Sequence, residues 1–257
     1  MKKDHNKISI LNIQLDNLTM DEFLPLLKKG MVVTPNVDHF IKLQKDEEFF
    51  RIYQQADYVV LDSRVIYYLL KLFGSPIKGV IPGSELLPAF YAYHKENEHI
   101  KLFLLGSMDG IADQAKEKIN QKVGRKMVVD AFSPSYGFEK KPAECNDIIE
   151  RINKSGANVL VIGVGAPKQE KWLYKNLPFL HNIEIALPLG ASIDFEAGYR
   201  KRSPKWIQRI GMEWFHRFIT EPKRLWKRYF IDDLPFFFLF LKYKSGWYTN
   251  PFDKTDR

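Results

Sequence analysis

Between residues 8 and 189 the chain alternates short apolar runs with stretches of helical periodicity, and this alternation restricts the fold more than any other feature. Met31-Val32-Val33-Thr34, Tyr58-Val59-Val60-Leu61, Leu102-Phe103-Leu104-Leu105 and Val159-Leu160-Val161-Ile162 are nearly unbroken apolar runs. Strands read this way when helices cover both faces of a parallel sheet. Residues 8–14, 127–129 and 183–189 supply three further strands. Amphipathic helices fall between them: one capped by Thr19, one running through Phe40, Leu43, Phe49 and Tyr53, and others over 66–73, from Gly83, over 111–119, around Ile148 and over 168–174.

Strand and helix in regular succession build βαβ units. The expected fold class is α/β, a mostly parallel, Rossmann-like sheet occupying residues 1–199. After residue 200 the strand pattern stops. Ser203-Pro204 and Thr220 with Pro222 open helices, and residues 234–241 are almost wholly apolar, so residues 200–257 are expected to form a C-terminal basic, aromatic α-helical appendage. Functional groups of such sheets gather at the carboxyl ends of the strands. Here those ends carry Thr34-Pro35-Asn36, Asp62, Gly106-Ser107, Gly163-Val164-Gly165 and the stretch from Gly190 to Asp194, which together outline one crevice.

Composition removes several alternatives. The single cysteine, Cys145, excludes an internal disulfide framework and an all-cysteine zinc site. The six histidines form no His-x-x-x-His pair, Asp38-His39 reads as a surface turn or helix start, and Asp194-Phe195-Glu196, at a strand end, has an acidic spacing resembling a divalent-ion clamp. One such pair without a second cluster is thin, so no metal and no cofactor is expected. No run reaches the ~20 apolar residues of a membrane span, and the polar first residues do not resemble a secretory signal. A cytosolic protein is expected.

Residues 1–199 contain 25 basic and 25 acidic residues, and residues 229–257 contain four of each. Residues 200–228 hold ten basic against two acidic, which is the whole of the net +8. A field of that size attracts a polyanion. Arg217, Arg224 and Arg228 can share a helical face, interleaved with Trp214, Phe218, Trp226, Tyr229 and Phe230. An interfacial helix on anionic lipid, a nucleic-acid surface and a plain packing face all use these residue types. The Phe236-Phe237-Phe238 run, too short to span a bilayer and costly to leave in water, favours the lipid surface, with no nucleic acid.

Asp62, at a strand tip, suits a general base for a substrate hydroxyl and equally suits a helix cap. Thr34 and Asn36 offer a hydroxyl and an amide to a sugar or phosphate, or merely a proline turn. Gly163-Val164-Gly165-Ala166-Pro167-Lys168-Gln169-Glu170 is a glycine turn entering a helix, suited to an anion, with Lys168 adding charge. It is not the dinucleotide fingerprint, because Lys168 stands where the third glycine belongs, and it is not a phosphate-binding Walker loop.

These strings in this order resemble the WecG/TagA/CpsF family of bacterial glycosyltransferases. The similarity rests on Thr34-Pro35-Asn36, Ala56-Asp57 with Asp62, Pro82-Gly83-Ser84-Glu85-Leu86, Phe103-Leu104-Leu105-Gly106, the segment from Gly163 to Trp172, Gly190-Ala191 with Asp194-Phe195, Arg202-Ser203-Pro204, Glu213-Trp214 and Glu221-Pro222 with Arg224. The resemblance implies a UDP-sugar-dependent hexosyltransferase that moves an N-acetylmannosamine-like sugar, with inversion and without a metal. Its acceptor would be a sugar on a polyprenyl diphosphate, at the inner face of the cell membrane, in cell-surface polysaccharide or teichoic acid-type synthesis. It implies Asp62 as base, with Thr34, Asn36 and Gln169 as pocket residues needed for activity. Gly106, Ser107, Gly163, Gly165, Lys168, Asp194 and Ser84 become candidates for holding the donor, and Arg217, Arg224 and Arg228 for the membrane or an acceptor diphosphate. Three positions depart from the family pattern: Ser63 replaces a glycine, Glu85 an aspartate and Val80 an arginine, whose charge Lys78 or Arg64 would have to supply. The competing reading is a non-catalytic membrane or nucleotide-binding scaffold. A homo-oligomer is compatible with either.

Overall fold

A computed structural model describes residues 6–204, 207 and 212–253. Its centre is a six-stranded sheet built from β3 (Gly30–Val33), β4 (Tyr58–Val59), β5 (Leu102–Gly106), β6 (Val128–Phe132), β7 (Val159–Gly163) and β8 (Ile185–Pro188), in the order β4-β3-β8-β7-β5-β6. Every neighbouring pair is parallel. A small antiparallel hairpin, β1 (Lys7–Ile10) and β2 (Ile13–Asp16), stands apart from this sheet. The helices are α1 (Met20–Leu26), α2 (Val37–Lys42), α3 (Glu47–Gln55), α4 (Arg64–Leu72), α5 (Gly83–Tyr93), α6 (Ile111–Val123), α7 (Pro142–Ser155), α8 (Lys168–Asn176) and α9 (Ser192–Ala197). The appendage adds α10 (Glu213–Thr220), α11 (Pro222–Lys227), a π turn (Arg228–Asp232) and α12 (Pro235–Lys244).

Successive side chains of a strand point to opposite faces, so an unbroken apolar strand feeds two cores. In β5, Phe103 and Leu105 enter one buried cluster with Phe40, Phe49, Ile52 and Trp172, while Leu102 and Leu104 enter the other with Phe23, Leu86 and Phe90. The chain runs outward from β5 to β6 and then crosses back to β7. That reversal opens a crevice over the carboxyl ends of β5 and β7, with β8 and β3 alongside.

Four local expectations change. Residues 8–14 are a hairpin rather than one strand, because the chain reverses at Leu11 (φ +52°), while Asn12 donates to the Leu43 carbonyl at 2.7 Å. The single helix through Phe40 and Tyr53 is two, since the Asp46 carboxylate accepts from the Phe49 N–H at 3.0 Å and starts α3 afresh. The Tyr58 strand is two residues long, although the Val60 N–H still reaches the Val33 carbonyl. The crevice stretch after Gly190 contains the short helix α9.

The apolar end of the appendage divides in two. Phe236 and Phe240 are fully buried, packed on Phe40 and Phe73 with ring centroids 5.6 and 5.4 Å apart, whereas Phe238 is exposed. Hydrogen bonds from Tyr243 to the Ser9 carbonyl (2.7 Å), Lys244 to Ser75 (2.9 Å) and Tyr248 to Gln44 (2.6 Å) fasten the C-terminal end to the α/β body.

Candidate active site

On one side of the crevice, β3 and β4 deliver Thr34, Asn36 and Asp62. Thr34 is buried just beyond β3, and Asn36 caps α2 by accepting from the His39 N–H at 3.2 Å. The Asp62 N–H donates to the Pro35 carbonyl at 3.1 Å, so the two strand-end loops are stitched edge to edge. The capping of α4 falls to Ser63, whose hydroxyl accepts from the Ile66 N–H at 3.3 Å. Asp62, half-buried, is therefore not the helix cap. Asp38 and His39 are a helix start, in the first turn of α2, and not a surface turn: His39 is buried, and its Nδ1 pairs with the Tyr53 hydroxyl at 2.6 Å. Burial pushes that phenol well above its ordinary pKa, and the nearby carboxylates of Glu170, Asp62 and Asp38 push it in the same direction.

The other side is made of strand ends pressed together where side chains are missing. A Cβ on Gly106 (φ +136°) would collide with the Gly163 carbonyl, and one on Gly163 with the Gly190 carbonyl. Only glycine permits this approach. Ser107 follows with φ +65°, and its hydroxyl donates to Asp194 Oδ1 at 2.5 Å. Asp194 Oδ2 meets Arg200 Nε at 2.9 Å, and Arg200 Nη1 reaches Glu221 of the appendage at 3.2 Å. The Gln169 carbonyl oxygen accepts from both the Gly165 and the Gly190 N–H, each at 3.2 Å, so these two amides of the glycine turns are already engaged. Lys168 lies with its ammonium 5.5 Å from the Tyr136 ring centroid.

Helix α5 aims its first turn at the same region without a side-chain cap on Pro82. Arg202 Nη2 donates to the Ser84 hydroxyl at 3.3 Å, its guanidinium lies 5.9 Å from the Phe195 ring centroid, and its buried Nε has no partner among the described residues. Arg64 pairs with Glu85 at 2.9 Å, whereas Lys78 is drawn off to Glu22 at 2.7 Å. Of the two substitutes for the arginine missing at Val80, Arg64 stays beside α5, and Arg202 joins it. Asp194 and Glu196 point to different partners, Glu196 to Lys122 at 2.6 Å, and among the described residues no group of three or more His, Cys, Asp or Glu side chains is placed to hold a metal ion. The backbones of Arg217, Arg224 and Arg228 lie in α10, α11 and the π turn; their side chains lie outside the described residues.

A family model described as "Glycosyl transferase WecG/TagA/CpsF family" matches residues 8–250. The chain belongs to this family. As a glycosyltransferase it is similar to the N-acetylglucosaminyldiphosphoundecaprenol N-acetyl-beta-D-mannosaminyltransferases of Staphylococcus aureus strains MRSA252 and NCTC 8325 / PS 47. Each is 24% identical to it over 228 residues, covering 85% of this chain and 87% of the relative.

Several polar residues of this glycosyltransferase are given no role of their own by the sequence. Glu170 is wholly buried, Lys42 bridges Asp38 (2.6 Å) and the Ala166 carbonyl (3.2 Å), and Arg200 and Arg202 link the crevice to the appendage. A signal for Glu170 was present: Gln169, Glu170, Trp172, Leu173 and Asn176 share the inward face of α8. Two polar residues leading that apolar stripe had to be buried with it.

Proposed function

We propose that this glycosyltransferase moves an N-acetylmannosamine-type sugar from a UDP donor to a hydroxyl of a sugar carried on a polyprenyl diphosphate, with inversion. It would work as a peripheral protein on the inner face of the cell membrane. The names of the staphylococcal relatives support the acceptor and the sugar. One observation carries the chemistry: half-buried Asp62 follows β4 with its N–H bonded to the carbonyl of Pro35, the residue between Thr34 and Asn36, and the capping duty beside it is taken by Ser63.

In this reading the Asp62 carboxylate takes the proton of the acceptor hydroxyl while that oxygen attacks the anomeric carbon. The bond from that carbon to the UDP oxygen breaks on the opposite face, and the electron pair leaves with the diphosphate. Thr34 and Asn36 orient the sugars. The charge growing on the leaving group is met by Arg202, the Ser84 hydroxyl and the open first turn of α5, where donors aimed at developing charge act most strongly. The exposed Trp226, Phe230, Ile231, Phe238 and Leu241, together with a shallow apolar cavity of about 290 Å³ lined by Leu234, Phe238, Leu239 and Lys242, suit the lipid surface where such an acceptor lies. Among the described residues no helix is long and apolar enough to cross a membrane.

The test is UDP release from UDP-N-acetylmannosamine with a short-chain polyprenyl-diphosphate-N-acetylglucosamine acceptor. Asp62→Asn should lower turnover by roughly 10²–10⁴-fold, the usual worth of a positioned base, while UDP affinity stays within about threefold. Turnover surviving in Asp62→Asn would remove the base from this scheme.

A further inference from the structure

We propose that Glu170 is a positioning residue: it fixes the orientation of the Gln169 side-chain amide, and through that amide joins the two glycine loops flooring the crevice. An amide has one accepting end and one donating end, and only its neighbours decide which way it faces. The oxygen of Gln169 faces two donors, the N–H groups of Gly165 and Gly190, at 3.2 Å each. Its nitrogen donates to Glu170 Oε1 at 2.8 Å. Turned over, the NH₂ group would confront two N–H groups and leave all three without acceptors in a buried place. Glu170 Oε1 is the acceptor that rewards the observed orientation.

The rest of Glu170 serves no other visible purpose. The side chain has no exposed surface, and its Oε2 has no hydrogen-bond partner among the described residues. An apolar side chain would fill the same space without this cost; what the carboxyl adds is one acceptor aimed at Gln169. Burial pushes the group up to about 7, against the Gln169 amide, its own backbone N–H and Lys42, which favour the charged form. The charged groups around it are already engaged. On α2, Lys42 is held by Asp38 and the Ala166 carbonyl; on α3, the Tyr53 hydroxyl is paired with His39; and Lys171 of the same helix is paired with Asp46 and Glu48. The carboxyls of Glu170, Asp62 and Asp38 all act in the direction that raises the Tyr53 phenol, after burial itself.

The proposal rests on the donor reading above for its kinetic consequence but not for its structural one, so the test has two arms. Amide hydrogen exchange of the segments 163–169 and 188–192 needs no substrate. Glu170→Leu should speed exchange there by about tenfold, the worth of one lost hydrogen bond, and Glu170→Gln, which keeps a carbonyl acceptor, should restore most of the protection. In transfer assays, Glu170→Leu should raise the donor KM and lower kcat/KM by about tenfold or more. Glu170→Gln should recover most of that loss, and Glu170→Leu should add little to a Gln169→Leu background, because the two residues act through one amide. Glu170→Met carries the same comparison if Glu170→Leu does not fold. The proposal is overturned if exchange in the two loops is unchanged without the acceptor, if Glu170→Gln is no better than Glu170→Leu, or if the two losses simply add. Exchange that responds as expected in a protein that turns over no UDP-sugar would uphold the positioning role and sink the donor reading instead.

Discussion

At the level of single residues, the crevice depends on which polar groups are spent on structure and which are spared. Ser63, standing where the family pattern has glycine, takes the cap of α4, so that duty does not fall to the neighbouring Asp62. Glu85, one methylene longer than the family's aspartate, pairs with Arg64 at 2.9 Å and so keeps a cation beside the first turn of α5. Glu170 is spent wholly inside, and its titration has a consequence for stability. Burial raises its pKa from the ordinary 4.5 to about 7, so between those values the folded protein binds a proton that the unfolded chain has released. Stability from this group is complete below pH 4.5 and is lost as pH rises to about 7, beyond which the loss is constant. Glu170→Gln cannot ionise and escapes that loss. Relative to the parent, it should gain up to about 3 kcal/mol between pH 5 and pH 8, a rise in melting temperature of very roughly 5–10 °C for a chain this size. Thermal melts of both proteins across that range check it; parallel pH dependences would mean that Glu170 does not titrate in this window.

Among the secondary-structure elements, legibility follows burial. Strands β5 and β7, covered on both faces, announce themselves as unbroken apolar runs, and the glycines that end them mark the crevice because no side chain fits between Gly106, Gly163 and Gly190. The β1–β2 hairpin was illegible because it turns at Leu11, a residue with no turn signature, in a conformation normally left to glycine or asparagine. Asp46 hid the break between α2 and α3, since an aspartate in a charged stretch reads as surface until it is seen capping α3. Helix α12 was half legible: an all-apolar run shows that something must be covered but not that Phe236 and Phe240, four residues apart, are the covered pair. The polar chain from Ser107 through Asp194 and Arg200 to Glu221 was invisible, because partners 87 and 21 residues apart leave no local pattern. That chain makes a prediction about elements. Arg200 ties the carboxyl end of β5, through Asp194, to the start of α11, and among the described residues Arg202 with Ser84 is the neighbouring tie. Arg200→Ala should leave the α/β body folded, yet speed limited proteolysis between residues 198 and 221 by about tenfold and lower transfer by a similar factor, as expected when a partly buried charged bond is removed. Arg200→Lys, which can keep one of the two contacts, should fall between. Proteolysis rates equal to the parent's would show that the appendage is held by its C-terminal end alone.

For the whole molecule, the decisive property is the uneven distribution of charge and apolar surface. Residues 1–199 carry no net charge, residues 200–228 carry the entire +8, and the same appendage exposes Trp226, Phe230, Ile231, Phe238 and Leu241. Trp226 and Phe230 stack with centroids 4.7 Å apart, presenting one continuous aromatic surface. Basic residues beside a lipid surface contribute about 1 kcal/mol each and are screened by salt, whereas apolar side chains contribute in proportion to the area they bury and respond little to salt. The two contributions can therefore be separated. The protein should sediment with phosphatidylglycerol vesicles and far less with phosphatidylcholine vesicles, and raising salt from about 0.1 to 0.5 M should weaken that binding by at least roughly tenfold. Trp226→Asp with Phe238→Asp should weaken binding at both salt concentrations without lowering the melting temperature, because both side chains are exposed. Phe236→Asp, two residues from the exposed Phe238 but itself buried, should instead destabilise the fold by several kcal/mol, as expected for a charge placed in a filled core. Equal binding to neutral and acidic vesicles, or full binding by the double aspartate variant, would mean that the appendage meets the acceptor without resting on lipid, and the basic segment would then have to act on the diphosphate alone.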